Sequence, residues 1–519
     1  MAKIPFRLNF RRREFLKAFF IAFATPFISR VAVNSQAAVT NPIILENQKA
    51  GTTDWQLTNP ATKQEIEGYA SLTSVNRGGK ISLFVNTQAP SYTIEIFRMG
   101  WYGGLGGRRM TEAIQRSGVK QPPPYEDEDS GLVECNWLDP YVLTIPGNSS
   151  DATEWASGFY LAKLTAANTG KQSYIIFVVR DDARPSDFLF QSSVTTYQAY
   201  NNWGEKSLYR WNSQASQAYK VSFNRPYGKS PNPAAAYGMG AGEFLTNFQP
   251  YKKVSSAGWE YNMVRWLERE GYDVTYVTNV DTHANRKLLE SHKAFLSVGH
   301  DEYWSLKMRE NVEAARDKGV SLGFFGANTC YWQIRFDLSP ISKAPYRTLV
   351  AYKEQSARDP YRDYRNTTLW RASPVNRPED ALVGVMYENT PVDGDIVLDV
   401  APDWMLTGTS LGKGSVLPGL LGYEVDRMYG NAPKNTIRVA HSPYAYKGRT
   451  PYADMTVYTA ASGATVFATG SMQWTWALDD YNSPQVRSPR LNLEAQQLTR
   501  NVLARMKSSS TNSLKSDNT

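Results

Sequence analysis

The sequence predicts a β-sandwich followed by an α/β domain built on a parallel sheet. Three observations carry this. From about residue 40 to 183, short apolar or alternating runs such as "KISLFVNT", "YTIEIFRMG", "YVLTI", "GFYLAKLTA" and "QSYIIFVVR" are separated by Gly, Asn, Pro or Ser and show no helical period. From about 186 to 507, helical and strand patterns alternate, as in a parallel sheet covered by helices. The 519 residues exceed what one core usually covers, so two domains are expected.

The elements of the second half follow in order. In "WEYNMVRWLEREG", Trp259, Met263, Trp266 and Leu267 share one helix face, and Gly271 is placed to end the helix. "YDVTYVT" predicts a strand, "ANRKLLESH" a helix and "KAFLSV" a strand. "SLKMRENVEAARDKG" predicts a helix with Ser305 as N-cap, Met308, Val312 and Ala315 on one face and Gly319 as its stop. "VSLGFFGA" is the next strand. From Asn366 to about Val425 no regular period is visible, so insertions are expected there. Residues 508–519 are polar, low in complexity and expected to be disordered. "DDARPSD" (181–187) reads as the linker between the domains.

Composition narrows the function classes. Hydrophobic residues make up 42% and charged residues 20%, which fits a globular protein. The net charge of +8 is uneven: residues 1–37 hold seven Lys/Arg and one acid, leaving a surplus of only +2 in the remainder. A nucleic-acid-binding fold would keep its basic surplus in the folded part, so that class is set aside. Cys135 and Cys330 lie in different expected domains, which offers neither a disulfide framework nor a cysteine-rich zinc site.

The N-terminus reads as an address. Arg12-Arg13-Glu14-Phe15-Leu16-Lys17 resembles the bacterial twin-arginine export signal, and a moderately apolar run follows from Ala18 to Ile28. That run is too short and interrupted for a good membrane span. "SQAA" offers small residues for cleavage after Ala37. The alternative is a basic, membrane-touching helix. Export by this route carries folded proteins, so a periplasmic or exported location is expected, with no integral span after signal removal.

"FLSVGHDEYWS" (295–305) places His300, Asp301 and Glu302 where a parallel strand ends and a helix begins, the position at which ligands and reacting groups gather in open α/β sheets. Glu302 could ligate a hard metal ion and His300 could handle protons. The alternative is a helix N-terminus at which acids favour the dipole. Tyr197, Tyr200, Tyr209 and Tyr227 crowd the start of the same domain, and each could equally be core or rim. Asn328, after the next strand, lies at the same sheet edge or simply makes a turn. No pair of histidines has H-x-x-x-H spacing. Neither "YGMGAG" nor "WYGGLGG" forms a strand–GxGxxG–helix unit, and no elbow motif surrounds Cys330.

In this order, "FRMGWYGGLGGRRM", "TYQAYNNWGEKSLY", "VSFNRPY", "SVGHDEYWS" and "FFGANTCYW" resemble the large (β) subunit of N,N-dimethylformamidase, over about residues 45–505. The resemblance implies an N-terminal β-sandwich-like domain and a C-terminal domain related to class I glutamine amidotransferases, with His-x-Glu near the turn that holds their catalytic cysteine. It implies a mononuclear ferric iron held by two tyrosinates and one glutamate. By motif, Glu302 is the carboxylate and His300 the active-site histidine. Tyr200, in "AYN", and Tyr227, in "RPY", are the implied tyrosines, with Tyr197 and Tyr209 as alternatives for the first. Asn328 matches a pocket asparagine, and Lys353 and Glu424 are further pocket positions. Anionic oxygens suit a hard, highly charged ion better than imidazoles do.

The expected function is therefore an exported, metal-dependent hydrolase of a small amide, acting as a homo-oligomer or with a small partner subunit. Two alternatives stand beside it: an envelope ligand-binding protein on the same fold, and an amidotransferase-like peptidase using Cys330. Replacing Arg12 and Arg13 together with lysine is expected to abolish appearance of the mature protein in the periplasm. Undiminished export of that variant would contradict the twin-arginine reading.

Overall fold

The first half of the chain turns its alternating runs into two sheets that share one core. The computed structural model describes residues 41–147, 151, 153–249 and 255–512. The expected export signal (1–37) and the last seven residues lie outside them. One sheet is antiparallel, with the strand Lys80–Thr87 between Ile66–Ala70 and Tyr141–Thr144. Strand Lys80–Thr87 alternates buried and less buried residues along its whole length, as a strand with one covered face must. In the second sheet, Gly158–Ala166 lies between Ser91–Met99 and Gln172–Arg180. Ile81, Leu83 and Val85 from the first sheet and Ile94, Ile96, Leu164 and Phe177 from the second belong to one buried apolar cluster.

The second half is organised by a seven-stranded sheet. Its order is Val274–Thr278, Phe188–Ser192, Ala294–His300, Ser321–Ala327, Thr465–Ala468, Tyr452–Thr459 and Ile437–Pro443. The first five strands pair in parallel, and Tyr452–Thr459 pairs antiparallel with both of its neighbours, Thr465–Ala468 and Ile437–Pro443. The two inner strands, Ala294–His300 and Ser321–Ala327, are buried at every position, which accounts for their continuous apolar runs. Gly299 and Gly326 face each other across this pair. A Cβ on Gly326 would stand 2.1 Å from the carbonyl oxygen of Gly299, so the close approach needs glycine.

Helix Glu260–Arg269 is buried from Glu260 to Glu268, and Trp259, expected on its apolar face, is its N-cap. Ser305 caps helix Leu306–Asp317, accepting from the Met308 amide at 3.1 Å. Two expectations are corrected. The stretch from 366 to 425 is not without regular structure: strands Met386–Val397 and Val416–Arg427 form a long antiparallel ribbon. Its register shifts at three places, which destroys the two-residue period a strand needs to be visible. The C-terminal helix Leu493–Asn512 also runs on into the segment expected to be disordered. Its Leu498, Val502 and Met506 are buried at helical spacing and hold it against the core.

A buried ion pair ties the two halves together. Arg98, in the strand Ser91–Met99, donates to both carboxylate oxygens of Glu268 on the helix Glu260–Arg269, at 2.8 and 3.0 Å. Neither side chain is exposed. Tyr276 and Asn47 also donate to Glu268, at 2.9 and 2.8 Å. Among the described residues, no helix is long and apolar enough to cross a membrane.

Removing one partner of a fully buried pair strands the other charge. Glu268→Ala is therefore expected to lower the unfolding free energy by about 3–5 kcal/mol, read as a fall in the urea midpoint. The double variant Arg98→Met with Glu268→Leu should recover most of that loss. Equal losses in the single and double variants would contradict this.

Candidate metal centre

The site is assembled at the carboxyl end of Ala294–His300, and Asp301 fixes it. Its carboxylate is fully buried and accepts from Gln191 at 2.7 Å, Ser297 at 2.7 Å and Asn279 at 3.0 Å. Those donors come from three neighbouring strands or their ends. Its carbonyl accepts from the Cys330 amide at 2.9 Å, while the Glu302 carbonyl accepts from the Tyr331 and Trp332 amides at 2.8 and 3.0 Å. The middle acid of "HDE" is thus a clamp, and it leaves His300 and Glu302 to face the site.

Tyr200 is the last residue of the helix Val194–Tyr200, which follows the strand Phe188–Ser192. Tyr209 lies on a loop folded back on that helix: the Leu208 amide donates to the Ala199 carbonyl at 3.0 Å, and Asn212 donates to the Tyr200 carbonyl at 2.6 Å. The two rings therefore sit 4.4 Å apart, centre to centre. Both phenols point at one carboxylate. Tyr200 donates to Glu302 at 3.0 Å and Tyr209 at 3.1–3.2 Å. Tyr303 donates to the Tyr209 oxygen at 2.5 Å.

His300 faces three acids. Its Nε2 is 3.2 Å from Glu302 and 3.6 Å from Glu424, and its Nδ1 is 3.7 Å from Glu243. The two longer contacts exceed hydrogen-bond distance and the 3.2 Å one lacks the alignment, so both ring nitrogens, Glu243 Oε2 and Glu424 Oε2 are buried without a hydrogen-bond partner. Asn328, at φ +57°, is held through its amide by Asp426 at 2.8 Å, and its side chain lies beside the Glu424 carboxylate. Its Oδ1 is also unpartnered. Lys353 donates to the Leu208 carbonyl at 3.2 Å, and its Nζ stands 3.3 Å from the centre of the Tyr209 ring.

The electrostatics follow from burying this many charges. Burial opposes the Glu302 carboxylate, but His300 and Lys353 outweigh it and hold its pKa below the usual value. Burial and the neighbouring Glu302 charge raise the Glu424 pKa, and the opposing pull of His300 only partly offsets them. Burial disfavours the His300 imidazolium, yet Glu424, Glu243 and Glu302 raise its pKa well above the ordinary range. Burial pushes the Lys353 ammonium down to about 8. Burial, with Glu302 beside them, holds both Tyr200 and Tyr209 phenols well above their ordinary pKa when only protein atoms act on them.

Of the positions expected from the sequence, Tyr200, His300, Glu302, Asn328, Lys353 and Glu424 are brought together. Tyr227 is not. It packs edge-on against Tyr197 at 6.2 Å and lines a separate cavity of ≈ 290 Å³ with Trp203 and Tyr174. Tyr209 occupies the place at Glu302 that the resemblance gave to Tyr227. Glu243 and Tyr303 had no distinguishing mark in the sequence, apart from the place of Tyr303 next to Glu302. Cys330 is fully buried beside Trp304 and Met308, and burial raises its thiol far above the ordinary range, the reverse of an activated nucleophile.

The residues fit a hard cation. Two phenol oxygens stand 3.0 and 3.1 Å from one oxygen of Glu302, a spacing open to oxygens that share an ion at roughly 2.0–2.2 Å. Unpartnered polar atoms surround them. Among the described residues no group of three or more His, Cys, Asp and Glu side chains is arranged to hold a metal, so any such site depends on the phenols.

Among solved structures, the chain is similar to "mmIFT52 N-terminal domain" at 13% identity and a TM-score of 0.27, over 46% of this chain and 86% of that one, a likeness too low to carry an argument. No curated protein matches. The family model described as "N,N-dimethylformamidase beta subunit-like, C-terminal" matches residues 93–486, a span that contains every residue of the cluster. The chain belongs to the N,N-dimethylformamidase beta subunit-like family.

Proposed function

We propose that the protein is an exported amidohydrolase that opens the C–N bond of a small amide at a mononuclear ferric site held by Tyr200, Tyr209 and Glu302. The convergence of those three oxygens carries the reading. The two sheets around one core, followed by a mostly parallel sheet, support the β-sandwich plus glutamine-amidotransferase-like description of the fold. The family description names a beta subunit, which supports a partner subunit as well.

A ferric ion bound there would polarise an amide carbonyl and acidify a water. The protein's own groups supply the rest. The surrounding acids hold His300 as the imidazolium, and its Nε2 touches Glu302 without being aligned to bond it, which leaves it able to give that proton to the leaving amine. Glu424, on the ribbon opposite, receives or returns that proton across 3.6 Å. Asn328 stands ready to donate to the oxygen on which charge develops. Lys353 keeps Tyr209 in place and offsets the surplus of acid.

The test is metal analysis with a visible spectrum of protein isolated from its native host. Iron and a phenolate charge-transfer band are expected. Tyr209→Phe should shift or bleach the band and weaken metal retention, whereas Tyr227→Phe should leave both unchanged. Glu302→Ala should lose the metal, and His300→Ala should keep metal and colour while turnover falls by roughly 10²–10⁴-fold. A colourless, zinc-filled protein would contradict the iron reading. Bleaching by Tyr227→Phe alone would contradict the choice of tyrosines.

A further inference from the structure

A second feature lies one aromatic layer away from the cluster. A cleft of ≈ 710 Å³ is lined by Tyr423, Trp476, Gln473, Asp393, Arg487 and Arg490, among others. That volume suits a small organic ligand. Its inner wall is the outer wall of the metal cluster. Tyr423 donates to Glu424 at 3.2 Å and stacks on Trp259 at 5.5 Å. Trp259 stands edge-on to His300 at 6.3 Å and stacks on Trp476 at 6.4 Å.

The cleft has a positive end. Arg487 and Arg490 lie 5.2 and 5.6 Å from the Trp476 ring. Arg490 is paired with Asp393 at 2.9 Å, and Asp393 is 69% exposed, so water screens that pair. Arg487 differs. It is only 4% exposed, and its hydrogen bonds go to the carbonyls of Asp479 at 2.7 Å and Ser488 at 3.3 Å. Its Nε has no partner. Asp479 and Asp480 contribute field, but Asp479 is engaged by Arg265 at 2.8 Å, and among the described residues no carboxylate forms an ion pair with Arg487. A buried guanidinium with no carboxylate partner is costly, and burial pushes its pKa down to about 10. An anion entering the cleft would offset that cost with a charge-assisted bond.

We propose that this cleft recognises amides that carry a carboxylate, with the acid end held at Arg487 and the amide reaching past Tyr423 towards His300. The proposal rests on the amidohydrolase reading, because it treats the cluster as the reacting centre. It also gives the substrate class that the cluster alone leaves open: an N-acyl amino acid or similar acid rather than a neutral solvent amide.

Calorimetric titration of the purified mature protein with N-formylglycine and with neutral N-formylglycinamide tests it, with hydrolysis of both followed separately. N-formylglycine should bind at least about tenfold more tightly, as a hydrogen bond to a charged group implies. Arg487→Gln should remove the difference. Ser488→Asp, which adds a carboxylate at an exposed position beside the guanidinium, should remove it too while Arg487 stays in place. Equal binding of the two compounds, or a preference kept in both variants, would overturn the proposal. Hydrolysis of neutral formamides with no preference for the acid would overturn the cleft but support the amidohydrolase reading. Selective binding of the acid with no hydrolysis of either compound would support recognition at the cleft and count against that reading.

Discussion

The buried carboxylate of Asp301 is the constraint on which the site depends. A lone carboxylate in a protein interior costs several kcal/mol, and strong hydrogen bonds are what make it tolerable. Here Gln191, Ser297 and Asn279 supply them from three adjacent strands or their ends. The same bonds fix how the strand Ala294–His300 finishes. Because His300 and Glu302 flank the clamp, their positions are set by it. The amides of Cys330, Tyr331 and Trp332 then tie the next loop to this turn, which places Asn328 beside the cluster.

Around that turn the protein concentrates acid. Glu243, Glu302 and Glu424 all face His300 within 3.7 Å, and Lys353 is the nearest ammonium. Such a group is electrostatically unfinished when only its own side chains are counted. The phenols of Tyr200 and Tyr209 sharpen this, since Glu302 and burial together oppose their ionisation. A cation reverses that balance, as bound ions generally do. The same logic applies at Arg487 with the opposite sign. One site is built around missing positive charge and the other around missing negative charge, with the ring pair Trp259–Tyr423 between them.

Much of this was legible in the sequence. Apolar runs alternating with amphipathic stretches gave the parallel strands, and the Ser305 cap and the strand end at His300 put imidazole and carboxylate at the sheet edge. The ribbon carrying Glu424 was invisible because its register shifts break the strand period. Spacing could not choose among Tyr197, Tyr200, Tyr209 and Tyr227. That choice is made by Asn212, which reaches back to Tyr200 and folds Tyr209 onto the helix, a contact that only the folded loop brings about. The strand before Asn328 already placed it at the sheet edge, whereas Lys353 and Glu424 entered through the family resemblance, and the fold brings all three to His300 and Glu302 from distant parts of the chain.

The central claim is that one ion is shared by Tyr200, Tyr209 and Glu302. Anomalous diffraction at the iron absorption edge, from crystals of protein purified from its native host, tests it most directly. The account predicts a single strong peak bounded by the two phenol oxygens and the Glu302 carboxylate, with His300 outside bonding distance. No peak at that place, or a peak beside Tyr227, would contradict it.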